Sequence, residues 1–314
     1  MTTAATGKAT APTTPTPIRA HDIVRTRPGK SYNREKRRSN LLTILLWLLA
    51  LYFVLPIAWL VIASTKDNAD LFATFGYAFG HFNLFQNLHD VFTTSNGIYL
   101  QWALNTVVYA AVSAVGASFL ATMAGYAFAK YRFPGAKIMF SVVLGAIMIP
   151  LTALALPTYL IFSQFGITNT PIAVIVPSLV SPFGVFLMRV YAADAIPDSM
   201  IEAARVDGAG EARIFFQVGL RLLGPGVVTV FLFALVATWN NYFLPLIMLN
   251  SSNLYPLTVG LAQQQATSAG GGGSQALFST VITGSLVSIV PLIIAFLFLQ
   301  RYWQTGLASG SVKE

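Results

Sequence analysis

The chain has 314 residues, 55% of them hydrophobic and only 10% charged, with a formal net charge of +8 at neutral pH. A soluble domain of this length carries about a quarter of its residues as charge, so this chain cannot clothe a water-facing surface and lipid is its expected solvent. The basic residues gather at the ends of apolar runs, which argues against nucleic acid as a partner, and the absence of Cys removes disulfides, thiolate zinc sites and thiol nucleophiles.

Residues 1–40, rich in Thr, Pro, Ala, Lys and Arg, lack a helical apolar period and read as a disordered basic tail. The first apolar run begins only near Leu41 and is long enough to span, so it reads as an uncleaved helix rather than a secretory signal. Six runs approach or exceed the ~20 apolar residues that cross a hydrocarbon core: about 41–63, 104–129, 138–162, 172–191, 226–249 and 279–300. Backbone groups in lipid must pair within their own segment, so each run is expected to be helical. The predicted fold class is therefore all-α, a polytopic membrane protein with a tail over 1–40, a transmembrane domain over 41–305 and a short C-terminal tail over 306–314. Pro56, Pro150, Pro157, Pro177, Pro182, Pro245 and Pro291 fall in or beside the spans. They are either tolerated because neighbouring helices satisfy the freed carbonyls, or they are kinks.

Eighteen of the nineteen Lys and Arg residues fall in the N-terminal tail, the loop after the second span, the loop after the fourth and the C-terminal end, and only Lys66 falls in an opposite loop. Positive charge is retained on the cytoplasmic side, so both termini are expected there, as an even number of spans requires. Of the outer loops, 64–103 carries Asp67, Asp70 and Asp90, while 250–278 carries no charge and contains a glycine run at 270–273 followed by Ser274. His21, His81 and His89 are too scattered to suggest a metal site. No charged or His residue lies well inside any span. Such residues mark proton relays, ion sites and voltage sensors, so their absence argues against a proton-coupled carrier, a charge-lined channel or chemistry in the bilayer. A neutral, hydroxyl-rich solute suits the path that remains, and energy for pumping has to come from another chain.

The polar segment 196–225 separates two apolar runs. Pro197 and Asp198 fit a helix entrance, Ser199 with Glu202 forms a capping-box pattern, Ala203 and Ala204 favour helix with little bulk, and Gly208 fits the left-handed position that ends a helix. A second helix is predicted from about Glu211 to Leu223, with Ile214, Val218 and Leu222 on one stripe and Arg213, Gln217 and Arg221 on its neighbour. Either this is a helix-turn-helix lying on the membrane surface with Glu202 only a cap, or the small alanines admit a partner backbone and Glu202 also meets a basic group on it.

These residues resemble a known family. Glu202, Ala203 and Ala204, three residues, Gly208, then nine residues to Val218 are similar to the EAA loop of binding-protein-dependent ABC importer permeases, with Arg221 where the family pattern has proline. The segment from Tyr126 through Lys130, Tyr131 and Arg132 to Gly135, and the ending from Gly306 to Lys313, resemble maltose-type carbohydrate permeases. The resemblance implies a type I importer permease fold and a coupling helix, built on Glu202, Ala203, Ala204, Asp207 and Gly208, that docks on a cytoplasmic ATPase. Gly310 and Lys313 carry over as a tail contact with that ATPase. It further implies a second permease subunit, an ATPase dimer holding ATP and Mg, an extracellular solute-binding protein and a sugar substrate, in a bacterial plasma membrane. This chain itself shows no phosphate-binding Gly-rich loop and is expected to bind no cofactor and catalyse no reaction.

Trp239, Asn240, Asn241 and Tyr242 lie in the fifth run. Amides in lipid need a partner or a wet cavity, so they either bond sugar hydroxyls beside stacking aromatic faces or bond the partner permease. Gln263, Gln264 and Gln265, in the uncharged outer loop, contact the binding protein, line an entrance or are simply solvated.

Overall fold

The computed structural model describes residues 30–269 and 277–308, and every regular element among them is helical. The tail over 1–29, the glycine run with Ser274, and the tail residues Gly310 and Lys313 lie outside the described residues. The chain divides into two units, Met1–Pro56 and Ile57–Glu314. Helix α1, Lys30–Ser64, begins inside the stretch expected as disordered tail, and its Asn40–Ser64 portion is apolar enough to cross a membrane.

The second unit is organised around α3, Leu84–Lys130, preceded by the short α2, Asn68–Ala73. α3 is continuous except at Thr94, Ser95, Asn96 and Gly97, which leave helical geometry. The third apolar run is not one straight span. It forms α4, Ala136–Ile147, and α5, Leu151–Gln164, bent by 106°. Pro150 at the break has no N–H to give and pushes Ile149 out of helical conformation. The fourth run forms α6, Pro171–Ser178, and α7, Pro182–Ala195, where Ser181 accepts a capping bond from the Gly184 amide. The coupling-loop candidate contains α8, Asp198–Val206, and α9, Glu211–Ile214, then a π-turn over Phe215–Gly219 and α10, Leu220–Leu222. The fifth run is α11, Gly224–Trp239, and α12, Phe243–Met248. The uncharged outer loop 250–278 holds α13, Leu257–Ala269, and the last span is α14, Phe278–Ala308. Among the described residues, four helical stretches are long and apolar enough to span, and six if each bent pair counts as one. Pro150 and Pro182 mark breaks, whereas Pro56, Pro157, Pro177 and Pro291 are carried within helices.

α3 packs on α7 and α11 through small side chains. Ala110, Ala114, Ala117, Ala121 and Gly125 recur at three- and four-residue intervals and are buried. The two backbones come so close that a Cβ on Gly125 would sit 2.5 Å from the Met188 Cβ and 2.7 Å from the Arg189 amide nitrogen. Lipid tails are as apolar as side chains, so helices in a membrane associate by this kind of close fit. Gly125→Ala should therefore cost about 1–3 kcal/mol through overpacking against backbone that cannot step aside. Gly145→Ala on α4, which meets nothing within 4 Å, should be neutral. Thermal unfolding in mild detergent distinguishes the two.

Candidate functional site

The nine-residue α8 begins at Asp198 with Pro197 at its N-cap, and no side chain caps it. The expected Ser199–Glu202 capping box does not form, because Ser199 is already inside the first turn. The N-terminus is served instead by Asp198, whose carboxylate suits the positive end of the helix dipole. The C-terminus ends as the sequence predicts. Gly208 adopts φ +79°, its amide donates to the Arg205 carbonyl and the Ala209 amide donates to the Ala204 carbonyl, both at 3.0 Å, which is the Schellman pattern.

One side of α8 is buried. Ile201 is 4% exposed and, with Ala204, packs into a cluster of Tyr126, Met188, Ile196, Ile214 and Leu223. The other side carries Glu202, Ala203, Asp207 and Gly208, all exposed, with Met200 and Val206 beside them; Val206 is 87% exposed. Four of the five coupling candidates thus share one solvent-facing surface with an apolar centre, and Ala204 faces inward.

Two polar contacts fasten this hairpin to the end of α3. Lys130 Nζ donates to Asp198 Oδ1 at 2.8 Å, with the lysine side chain almost wholly buried. Tyr131 donates its hydroxyl to Glu211 Oε2 at 2.8 Å, and Arg205 Nε donates to Glu211 Oε1 at 2.7 Å. The Lys130 bond and charge hold the Asp198 carboxyl below the usual carboxylate range, and the Arg205 and Tyr131 bonds do the same for Glu211. Burial, and then the bond to Glu211, push the Tyr131 hydroxyl up. Lys130 and Tyr131 belong to the second segment that carries the sugar-permease resemblance, so the two segments meet in space.

The π-turn revises the predicted stripe. Its signature bond runs from the Leu220 amide to the Phe215 carbonyl. The extra residue moves burial from the even spacing of Ile214, Val218 and Leu222 to Ile214, Phe215, Gly219 and Leu223. Arg213, Gln217 and Arg221 remain exposed as expected, and the helix continues through Arg221 to Leu222.

The four candidates of the fifth run occupy the break between α11 and α12. A cavity of about 320 Å³ opens there, lined by Trp239, Asn240, Tyr242, Thr258, Gln265 and Ser288 among others, none of them charged. Asn241 does not line it. Its Oδ1 accepts from the Leu244 amide at 3.4 Å and its carbonyl accepts from the Thr258 hydroxyl at 2.8 Å, so it closes the break. Gln265 reaches the cavity from α13, while Gln263 and Gln264 are not among its lining residues.

Sequence reasoning missed what holds the irregular segment 249–256. Trp102 Nε1 donates to the Ser252 carbonyl at 2.7 Å, Asn105 Nδ2 to the carbonyls of Asn253 and Tyr255, and Tyr109 OH to the carbonyl of Leu254 at 2.9 Å. Thr106 Oγ1 accepts from the Leu257 amide at 2.8 Å. The signal was available as polar groups at helical spacing on one face of α3. No cluster of three or more His, Cys, Asp or Glu suited to a metal occurs among the described residues.

Comparison with known proteins agrees with this geometry. Residues 117–305, more than half the chain, match the family described as binding-protein-dependent transport system inner membrane component. The arabinooligosaccharides transport system permease protein AraQ of Halalkalibacterium halodurans is 35% identical, over 88% of this chain and 99% of that protein. The lactose transport system permease protein LacG of Rhizobium radiobacter is 29% identical, over 85% and 93%. A chain of a bacterial ABC transporter that imports the acidic polysaccharide alginate superposes with a TM-score of 0.73 at 22% identity, over 86% of this chain and 98% of that one, a likeness of fold. The chain belongs to the inner-membrane permease family of binding-protein-dependent ABC transport systems.

Proposed function

We propose that this permease subunit carries a neutral sugar or oligosaccharide across a bacterial plasma membrane, as one half of a path shared with a second, homologous permease. Its motor is a cytoplasmic ATPase dimer that holds ATP and Mg, and an extracellular binding protein delivers the solute. Both termini lie on the ATPase side, in keeping with the distribution of Lys and Arg.

The observation that carries the reading is the two-sidedness of α8. This helix is fixed to the α3–α7–α11 bundle by Ile201 and Lys130–Asp198, and through Arg205 to Glu211 of α9, which Tyr131 holds, while its free side presents Ala203 and Val206 between Glu202 and Asp207. A partner that grips the free side moves the bundle, because the fixed side transmits the displacement to the end of α3. Glu202, Ala203, Ala204, Asp207 and Gly208 are the coupling set: Glu202, Ala203 and Asp207 make contact, Ala204 packs inward and Gly208 turns the chain. The break at residues 240–242 supplies the solute contacts. Trp239 and Tyr242 offer ring faces, Asn240 and Gln265 offer amides, and with no cation in the lining a neutral polyol is favoured over an anion. The names of the arabinooligosaccharide and lactose relatives support the same solute class.

Two outcomes follow in proteoliposomes containing the complete transporter. Glu202→Lys, at an exposed position, should lower solute uptake at least ~10-fold, equivalent to ~1.4 kcal/mol of lost coupling, at unchanged protein level. Uptake at the wild-type rate would contradict the coupling role. Asn240→Ala combined with Gln265→Ala should lower uptake about three- to tenfold, the worth of one or two hydrogen bonds, while nucleotide hydrolysis persists. Unchanged uptake would remove the cavity from the path.

A further inference from the structure

On the membrane face opposite the coupling loop, by the count of spans, the segment between α1 and α3 exposes a set of large rings. Phe72, Phe75, Phe79 and Phe82, with Phe85 in the first turn of α3, are each 65–76% exposed. The backbone that bears them is firmly held. Lys66 is 1% exposed, and its Nζ donates to Thr74 Oγ1 at 2.8 Å and to the Phe75 carbonyl at 3.0 Å. Asp70 accepts from the His81 amide at 2.6 Å and its Oδ2 lies 3.0 Å from His81 Nδ1. Asn87 Nδ2 donates to the carbonyls of Ser64 and Lys66, both at 2.8 Å. The single cation expected in these loops is therefore consumed in fixing the turn that points Phe75 outward.

The depth of that turn is set by two contacts. A Cβ on Gly76 would lie 3.0 Å from Trp59 Nε1, so the turn rests on a residue five positions before the end of α1, about 7.5 Å back along the helix. Phe72 meets Phe278, the first residue of α14, edge-on with centroids 5.2 Å apart. The segment thus folds back against the ends of two apolar helices instead of rising into water. Residues 67–97 contain no Lys or Arg, so attraction to anionic headgroups contributes nothing.

We propose that Phe72, Phe75 and Phe79 form an interfacial anchor that inserts into the lipid leaflet on this face, at the boundary of headgroups and acyl chains. Moving a phenylalanine ring from water into an apolar medium is favourable, and a prefixed backbone loses little entropy in doing so. The anchor is hydrophobic in kind, so it takes neutral and anionic lipid alike.

The chain has no cysteine, so Phe75→Cys and Phe79→Cys each provide one attachment point for a nitroxide label. Each labelled chain is assembled with unlabelled partners in bilayer nanodiscs of neutral, and separately of partly anionic, lipid. Collisions with oxygen, which partitions into lipid, should exceed those with a water-soluble nickel chelate several-fold at both positions, equally in both lipids and with or without the solute-binding protein. Nickel collisions equal to or above those of oxygen would place the rings in water. Loss of both on adding the binding protein would make the segment a protein-docking surface, and low values for both throughout would bury it against the partner permease. Each of these three results overturns the proposal.

Discussion

A backbone amide in hydrocarbon has no solvent to bond with, and α3 answers that constraint along its length. Where its neighbours are regular helices, it offers Ala and Gly so that α7 and α11 can approach closely. Where its neighbour is the segment 249–256, it offers Trp102, Asn105 and Tyr109 as donors to the carbonyls there, and Thr106 as acceptor for the Leu257 amide that opens α13. Asn169 completes the work from the turn before α6, its Oδ1 accepting from the amides of Asn250 and Ser251. At the break between α11 and α12, Asn241 serves the chain itself, accepting from the Leu244 amide and the Thr258 hydroxyl.

The same helix also reaches the α8–α9 hairpin. Lys130 and Tyr131 lie at its end, and both are committed to carboxylates on the α8–α9 hairpin. Exposed ion pairs are worth little, yet the Lys130 side chain is buried, and the hydrophobic cluster around Ile201, Tyr126 and Leu223 backs the contact. Polar bonds set the register of the hairpin on α3 and packing supplies most of its adhesion. The fixed side of α8 is thereby tied to the helix that also holds the segment 249–256.

Much of this was legible in the sequence because it depends on local rules. Six apolar runs, the stop at Gly208 and the start of α9 at Glu211 follow from length, turn chemistry and composition. What escaped depends on partners distant in sequence. The Lys130–Asp198 bond joins residues 68 apart, and Trp102 and Ser252 are 150 apart. The π-turn brings Gly219 under Tyr126, where a Cβ would lie 3.3 Å from the ring, so a stripe drawn at even helical spacing misplaced Val218 and Leu222. Pro150 was visible, but the 106° turn it permits depends on how α4 and α5 pack. Asn241 belonged by composition with its neighbours Asn240 and Tyr242, and only the geometry separates its capping bonds from their place at the cavity.

The central claim is that the free side of α8 is held by a nucleotide-hydrolysing partner. Ala203→Cys, in a chain otherwise without cysteine, tests it directly through a short crosslinker applied to the assembled transporter. The account predicts a crosslink to the ATPase whose yield changes when ATP is bound. Failure to reach that subunit, while it co-purifies with the chain, would contradict it.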